Sequence, residues 1–134
     1  VKELVLVLSL TAFGFSEFSR SGDIVTDSET GFMWEDQSTI AYNNWKGAID
    51  YCENLTLGGY SDWRLPNINE LRSIVDYGRN SPAIDPVFQN TYSSWYWTST
   101  VYNGNSSFPW LLGFNYGYDY NYYQSDSYYV RCLR

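Results

Sequence analysis

The sequence predicts an α+β domain, two helices packed on a mainly antiparallel sheet. Three observations carry that expectation. Apolar residues recur at helical spacing between residues 43 and 75, strand-like alternation takes over after Tyr92, and Gly-, Asn- and Asp-rich turns separate the late strands. The 134 residues make one domain, large enough to bury a core, and a hydrophobic fraction of 44% with 20% aromatic residues excludes disorder.

The elements follow in chain order. Residues 4–15 (LVLVLSLTAFGF) form an apolar run behind Lys2, with the small residues Gly14 and Ser16 at its end. This has the form of a signal peptide covering residues 1–16, and the run is too short to span a bilayer. The competing reading is a buried first element of the mature domain. No cysteine lies beside the expected cleavage point, which argues against a lipid anchor there. Residues 17–134 are then the domain, in a secreted, periplasmic or cell-surface setting. Ile24 and Val25, and Phe32, Met33 and Trp34, suit two short strands joined by a turn at 28–31.

A helix is expected over 43–55, where Trp45, Ile49, Cys52 and Leu55 share a face, Asn43 or Asn44 caps the start and Gly58-Gly59 ends it. A second helix follows Pro66. Asn67 with Glu70 three residues on is a variant capping box, and Ile68, Leu71, Ile74 and Val75 form the apolar stripe. Residues 76–85 are polar and turn-rich. Strands are expected at 94–100, 110–115 and 127–133. In the last, Tyr128, Val130 and Cys132 share one face, and Tyr129, Arg131 and Leu133 the other.

Composition removes several functions. A net charge of −7, with only eight scattered basic residues, makes nucleic acids and other polyanions poor partners. No histidine is present, which removes imidazole-based catalysis and His-ligated zinc. Cys52 and Cys132 would be two thiols in a reducing compartment; in an exported protein they would pair, closing a loop of about 80 residues. A calcium site on Asp119 and Asp126 would fall short of the six or more oxygens such a site needs. No cofactor is expected.

The stretch 95–129 holds fourteen of the twenty-seven aromatic residues and two charges, Asp119 and Asp126, with Ser, Asn and Gly as filler. Tyr and Trp offer large amphipathic contact area at low entropic cost, and the small polar residues adapt their hydrogen bonding, so this is the composition of a recognition surface. Aromatic residues are also good strand formers, and core packing is the rival reading. Trp95, Trp97, Phe114 and Tyr128 fall in expected strands and are assigned to the core. Two loops, 101–109 and 116–126, carry the recognition reading. The expected ligand face comprises Tyr102, Asn103, Asn105, Trp110, Tyr116, Tyr118, Tyr120, Asn121, Tyr122 and Tyr123. Tyrosines buried in this region would instead favour a structural envelope domain without a specific ligand.

The motifs TDSETGFMW (26–34), AIDYCENL (48–55), LGGYSDWRLPNINEL (57–71), Pro82-Ala83-Ile84-Asp85, YWTST (96–100) and YVRCLR (129–134) resemble the Legionella collagen-like protein C-terminal domain family. The resemblance runs from about Gly22 to Arg134. It implies a compact C-type-lectin-like fold in an exported or surface setting, of adhesin type, and fixes no ligand. The parent adhesin's sulfated glycosaminoglycans suit this acidic chain poorly, and the EPN and WND motifs of calcium-dependent sugar sites are absent. Read from the residues, Trp63 and Leu65 plug the core, and Arg64, between Asp62 and Asp76, locks the helix start.

The fold is also similar to that of formylglycine-generating enzymes, whose chemistry needs reactive cysteines close together. A Cys52–Cys132 bridge would leave no thiolate, so no enzyme is expected. The Tyr, Asn, Ser, Asp and Gly of the two loops further resemble variable proteins of diversity-generating retroelements, in which an AAC codon changed at its adenines reaches Tyr, Ser, Asp and Gly. The expected function is an exported binding module for a glycan or a protein. A retroelement-diversified ligand binder and a structural envelope domain are the alternatives.

Overall fold

The structure, a computed structural model, describes residues 17–134, so the expected signal peptide at 1–16 lies outside the described residues. Three strands come first: β1 (Phe18–Ser21), β2 (Ile24–Asp27) and β3 (Met33–Glu35), an antiparallel sheet in chain order. β1 is additional to the two expected strands. The 28–31 turn forms as expected, closed by Gly31 N–H on the Asp27 carbonyl at 2.8 Å.

After β4 (Tyr42–Asn43) comes α1 (Trp45–Asn54), whose cap is Asn44: its side chain accepts from Gly47 N–H at 2.8 Å. The helix ends sooner than expected. Leu55 is already extended, and Gly58 and Gly59, both at positive φ, instead turn the chain between Leu57 and Tyr60. α2 (Ile68–Arg72) is one short turn opened by the expected capping box. Asn67 Oδ1 accepts from Glu70 N–H at 2.7 Å and Glu70 Oε1 accepts from Asn67 N–H at 2.9 Å.

The remaining strands are β5 (Trp95–Tyr102), β6 (Asn105–Gly113), β7 (Tyr118–Asn121) and β8 (Tyr128–Tyr129). They form a five-stranded sheet in the order β4-β8-β5-β6-β7, antiparallel except where β8 runs parallel to β5. The expected α+β class, with two helices and a mainly antiparallel sheet, is what the chain adopts. Among the described residues no helix is long and apolar enough to cross a membrane.

Strand alternation divides the core in two. Tyr96, Leu112 and Leu133 join Val25, Trp34, Leu71, Ile74, Phe88 and Phe114 on one side. Their chain neighbours Trp97, Leu111 and Cys132 join Ala48, Trp63, Leu65 and Val130 on the other. The strand expected over 127–133 is confined to Tyr128–Tyr129, but the expected alternation continues beyond it, with successive side chains feeding opposite cores. Cys52 of α1 and Cys132 form the disulfide, Cα atoms 5.5 Å apart.

Arg131 points into the first side, its guanidinium 5.0 Å from the Phe88 ring centre. It donates to buried Asp36 at 3.0 Å; Arg20 also pairs with Asp36, and the backbone N–H groups of Gln89 and Asn90 donate to the same carboxylate. This ionic knot ties the first sheet, the 85–91 segment and the C-terminus together.

Trp63 and Leu65 are core residues, as expected. Arg64 pairs differently from the sequence expectation. It grips Glu70 with two bonds of 2.7 and 2.6 Å, because the capping box has already folded that carboxylate back over the helix start. Asp62 accepts from Arg134, and Asp76 pairs with Arg79. The Arg64 contact holds the Glu70 carboxyl below the usual carboxylate range.

Candidate functional site

Of the two segments expected as loops, 101–109 is mostly strand and 116–126 has a strand at its centre. β5 and β6 are joined by the two-residue turn Asn103-Gly104, whose φ values of +47° and +69° suit a type I′ hairpin. Residues 105–109 belong to β6, and residues 118–121 form β7 along its far side. What remains of the second loop is a turn at 114–117 and the return through residues 122–127. Gly117, at φ +86°, is required there. A Cβ would lie 2.5 Å from Val75 Cγ1 and 2.9 Å from the Tyr77 ring.

The register sorts the ten expected site residues onto two faces. Trp95 lies opposite Gly113 and Gly113 opposite Tyr118; Trp97 lies opposite Leu111 and Leu111 opposite Tyr120. Tyr118 and Tyr120 thus share the face of Trp95 and Trp97. Gly113 leaves room for the Trp95 ring, which would stand 3.1 Å from a Cβ there and crosses β6 to meet Tyr120, centres 6.1 Å apart. The row continues at both ends: Tyr116 packs 6.3 Å from Tyr118, and Tyr122 packs 6.1 Å from Tyr120 and 6.4 Å from Tyr128. Tyr128 in turn meets Trp97 at 5.1 Å, so the surface row is rooted in the core. Burial holds the Tyr128 phenol above the usual range, with Asp126, Tyr122, Tyr42 and Tyr120 adding to the effect.

The second face carries Trp110, with Asn121 opposite and Tyr102 packed 5.9 Å from its ring; Phe108 and Tyr123 stack nearby at 5.0 Å. Asn103 and Asn105 serve the hairpin itself, Asn103 through its left-handed backbone and Asn105 by accepting from Ser107 N–H at 3.0 Å. The expected face of ten residues therefore divides into a row of four tyrosines on one face, packed as the pairs 116–118 and 120–122, and a separate cluster behind it.

Exposure marks which rings are available. Tyr118 is the most open at 68%, Tyr116 and Tyr120 are about half exposed, and Tyr122 stands at 39%. Asp119 points to the opposite face and pairs with Arg72, 47 positions away. The sequence has no Lys or Arg between Arg79 and Arg131, and Arg72 reaches β7 only on the opposite face, where Asp119 pairs with it. Among the described residues, no three acidic or cysteine side chains gather where they could hold a metal ion.

Sequence reasoning missed two features. Tyr42 and Tyr92, both more than half exposed, flank Tyr129 at 4.9 and 4.6 Å near the other edge of the sheet. An open cleft of about 600 Å³ lies along Arg79, Pro82, Ile84, Phe88, Gln89 and Thr91, apart from the ten expected residues. The closely spaced Pro82 and Pro86 are the only local signal for that shape.

The sequence model described as the Lcl C-terminal domain matches residues 23–134 of this chain. No curated protein matches it.

Proposed function

The chain belongs to the Lcl C-terminal domain family, and from that premise we propose that it is an exported binding module whose ligand face is the tyrosine row of β7 and its flanks. The observation that carries this reading is the exposed series Tyr116, Tyr118, Tyr120 and Tyr122, packed as the pairs Tyr116–Tyr118 and Tyr120–Tyr122, the second pair anchored through Trp95 and Tyr128 to the core. An exposed aromatic cluster of this extent is a mark of an interaction site. Rings already held by neighbours lose little freedom on binding, and their hydroxyls can meet polar groups. Such a face would stack on sugar rings or fill a protein epitope.

The Cys52–Cys132 bridge suits a periplasmic or extracellular location. It also leaves neither cysteine a thiolate, which supports a binding rather than a catalytic role. A thiol count on native protein tests that point, because an enzyme of the formylglycine-generating type requires a titratable thiol. The exposure of the tyrosines supports recognition over a ligand-free envelope role.

The direct test is a glycan array and a surface-protein pull-down, each with wild type and Tyr118→Ala. The reading expects a ligand in one of them that the variant loses. Binding that is unchanged by the substitution would remove the tyrosine row from the function.

A second reading, diversification by a retroelement, draws on the same exposure. Tyr118, Asp119, Tyr120, Asn121, Tyr122 and Tyr123 lie on or beside an edge strand, where side chains can vary without disturbing the core. A near-identical adenine-rich template beside a reverse-transcriptase gene would support it, and absence of both would dismiss it.

A further inference from the structure

We infer that the ligand face extends to the backbone of β7, and that the partner is an extended, Lys- or Arg-bearing peptide segment that pairs with it as a sixth strand. The inference rests on the tyrosine-row reading and names its ligand class. β7 is the last strand of the five-stranded sheet. Tyr122 N–H donates to the Pro109 carbonyl at 3.3 Å and Gln124 N–H to the Ser107 carbonyl at 3.1 Å. In an antiparallel ladder residues alternate between bonding inward and outward. The even-numbered residues thus bond β6, and the N–H and C=O groups of Asp119 and Asn121 face away from it.

Sheet edges are commonly protected from pairing by Lys, Pro or an inward charge. Residues 118–124 (YDYNYYQ) contain neither Lys nor Pro, and the charge of Asp119 is turned to the other face and held by Arg72. The edge therefore remains a template for strand addition, in which main-chain bonds supply affinity and side chains at alternate positions supply specificity.

Charge selects the occupant. The chain carries a net −7, and Arg72, which reaches β7, is already paired with Asp119 on the face opposite the tyrosines. A second copy would bring the same negative charge to the same edge, which opposes self-pairing. A strand with a cation at every second residue would instead lay those cations along Tyr118, Tyr120 and Tyr122, where ring faces attract them and Asp126 lies close in sequence.

The test uses a short synthetic peptide of alternating Lys and Thr, its Glu–Thr counterpart, and the Lys–Thr peptide N-methylated at alternate residues. Binding is read by titration and by amide exchange of the whole domain. The Lys–Thr peptide is expected to bind and to slow exchange at Asp119 and Asn121. N-methylation, or Lys-to-Glu reversal, should weaken it by more than about tenfold, the effect of losing one or two hydrogen bonds or charge contacts. Asn121→Pro removes one outward donor and no bond to β6, so it should produce a similar loss at an unchanged melting temperature.

Should that variant unfold, the N-methylated peptide still decides the matter. No binding of the Lys–Thr peptide, equal binding of its N-methylated form, or protection away from β7 would overturn the inference. So would a dimer, formed without peptide, that protects the same two amides. Glycan binding that Tyr118→Ala abolishes, with no peptide binding, would remove the sixth strand and leave the tyrosine row standing. A Tyr118→Ala variant that binds every ligand as wild type does would remove the row itself.

Discussion

Replacing Tyr118 with alanine separates a recognition surface from a core more cleanly than any other single substitution in this chain. Tyr118 is 68% exposed, whereas Trp97, on the same face two strands away, is fully buried. A fully buried tyrosine removes roughly 150–250 Å² from water, so about a third of that, some 60 Å², is what Tyr118 covers. At about 25 cal/mol per Å² this contributes at most about 1.5 kcal/mol, and less against a compact unfolded chain. Trp97→Ala should cost about 3–5 kcal/mol, because it also leaves a cavity.

In a domain of this size about 1 kcal/mol moves the melting temperature by roughly 3–5 °C. Tyr118→Ala is therefore expected to melt within about 7 °C of wild type and Trp97→Ala more than about 10 °C below it. Thermal denaturation followed by circular dichroism, run beside the ligand-binding assay, gives both readouts on the same samples. Tyr122 is a poorer probe, since at 39% exposure it supports Tyr120, Tyr123 and Tyr128. If Tyr118→Ala costs as much stability as Trp97→Ala, the row is structural and the recognition argument fails.

Three further outcomes are expected. Cys52→Ala with Cys132→Ala opens a loop with an 80-residue separation and should lower the free energy of unfolding by about 4–5 kcal/mol in urea melts; a loss under about 1 kcal/mol would contradict the chain-entropy argument. Arg131→Met leaves Asp36 with one of its two arginines and should cost about 3–5 kcal/mol, while the double variant with Asp36→Asn recovers part of that; equal losses in both would show that the charge of Asp36 is not the cause. Glu70 has a folded pKa held below its unfolded value, first by Arg64. Its contribution is thus present above that unfolded value of about 4.5 and lost as pH falls through the folded one. Urea midpoints taken from about pH 5 to about pH 2 should then fall less steeply in Glu70→Gln than in wild type, and parallel curves would remove Glu70 from the acid response.

What the sequence made legible is what local chemistry decides. Asn44, Asn67 and Glu70 cap their helices because a short polar side chain beside a first turn has orphan amides within reach whatever surrounds it. The opposite facings of Val130 and Leu133 follow from strand pleating alone. The misreadings fall where a distant partner decides. Asp119 falls in the segment read as a loop, 116–126, yet it sits in β7, paired with β6, and its carboxylate meets Arg72 from the other half of the chain. Arg64 reads as a partner of Asp62 and Asp76, and takes Glu70 because the helix cap presents that carboxylate first. The β5–β6 hairpin could have been found. Asn103-Gly104 is the dipeptide that a type I′ turn favours, but its Ser- and Asn-rich flanks lack the β-branched residues that announce strands.

The same alternation that builds the core also builds the candidate site, and position in the sheet separates the two. Beneath α1 the face is closed, and Trp97 and Leu111 are buried there. One strand further out no helix or further strand of the described residues covers it, and Tyr118 and Tyr120 emerge from the same rows. Trp95, lying over Gly113, carries ring contact across that boundary. Residue type is thus a poor guide to role in this tract, since tyrosine appears on both sides of the line. Tyr96 is fully buried, its OH accepting from Tyr92 N–H, while Tyr118 stands in the open. A core that continues into its own surface row holds that row without the ordering cost of a flexible loop. This is why Tyr118 and Tyr120, set on β7 with Tyr116 and Tyr122 at its two ends, suit binding better than a free loop would.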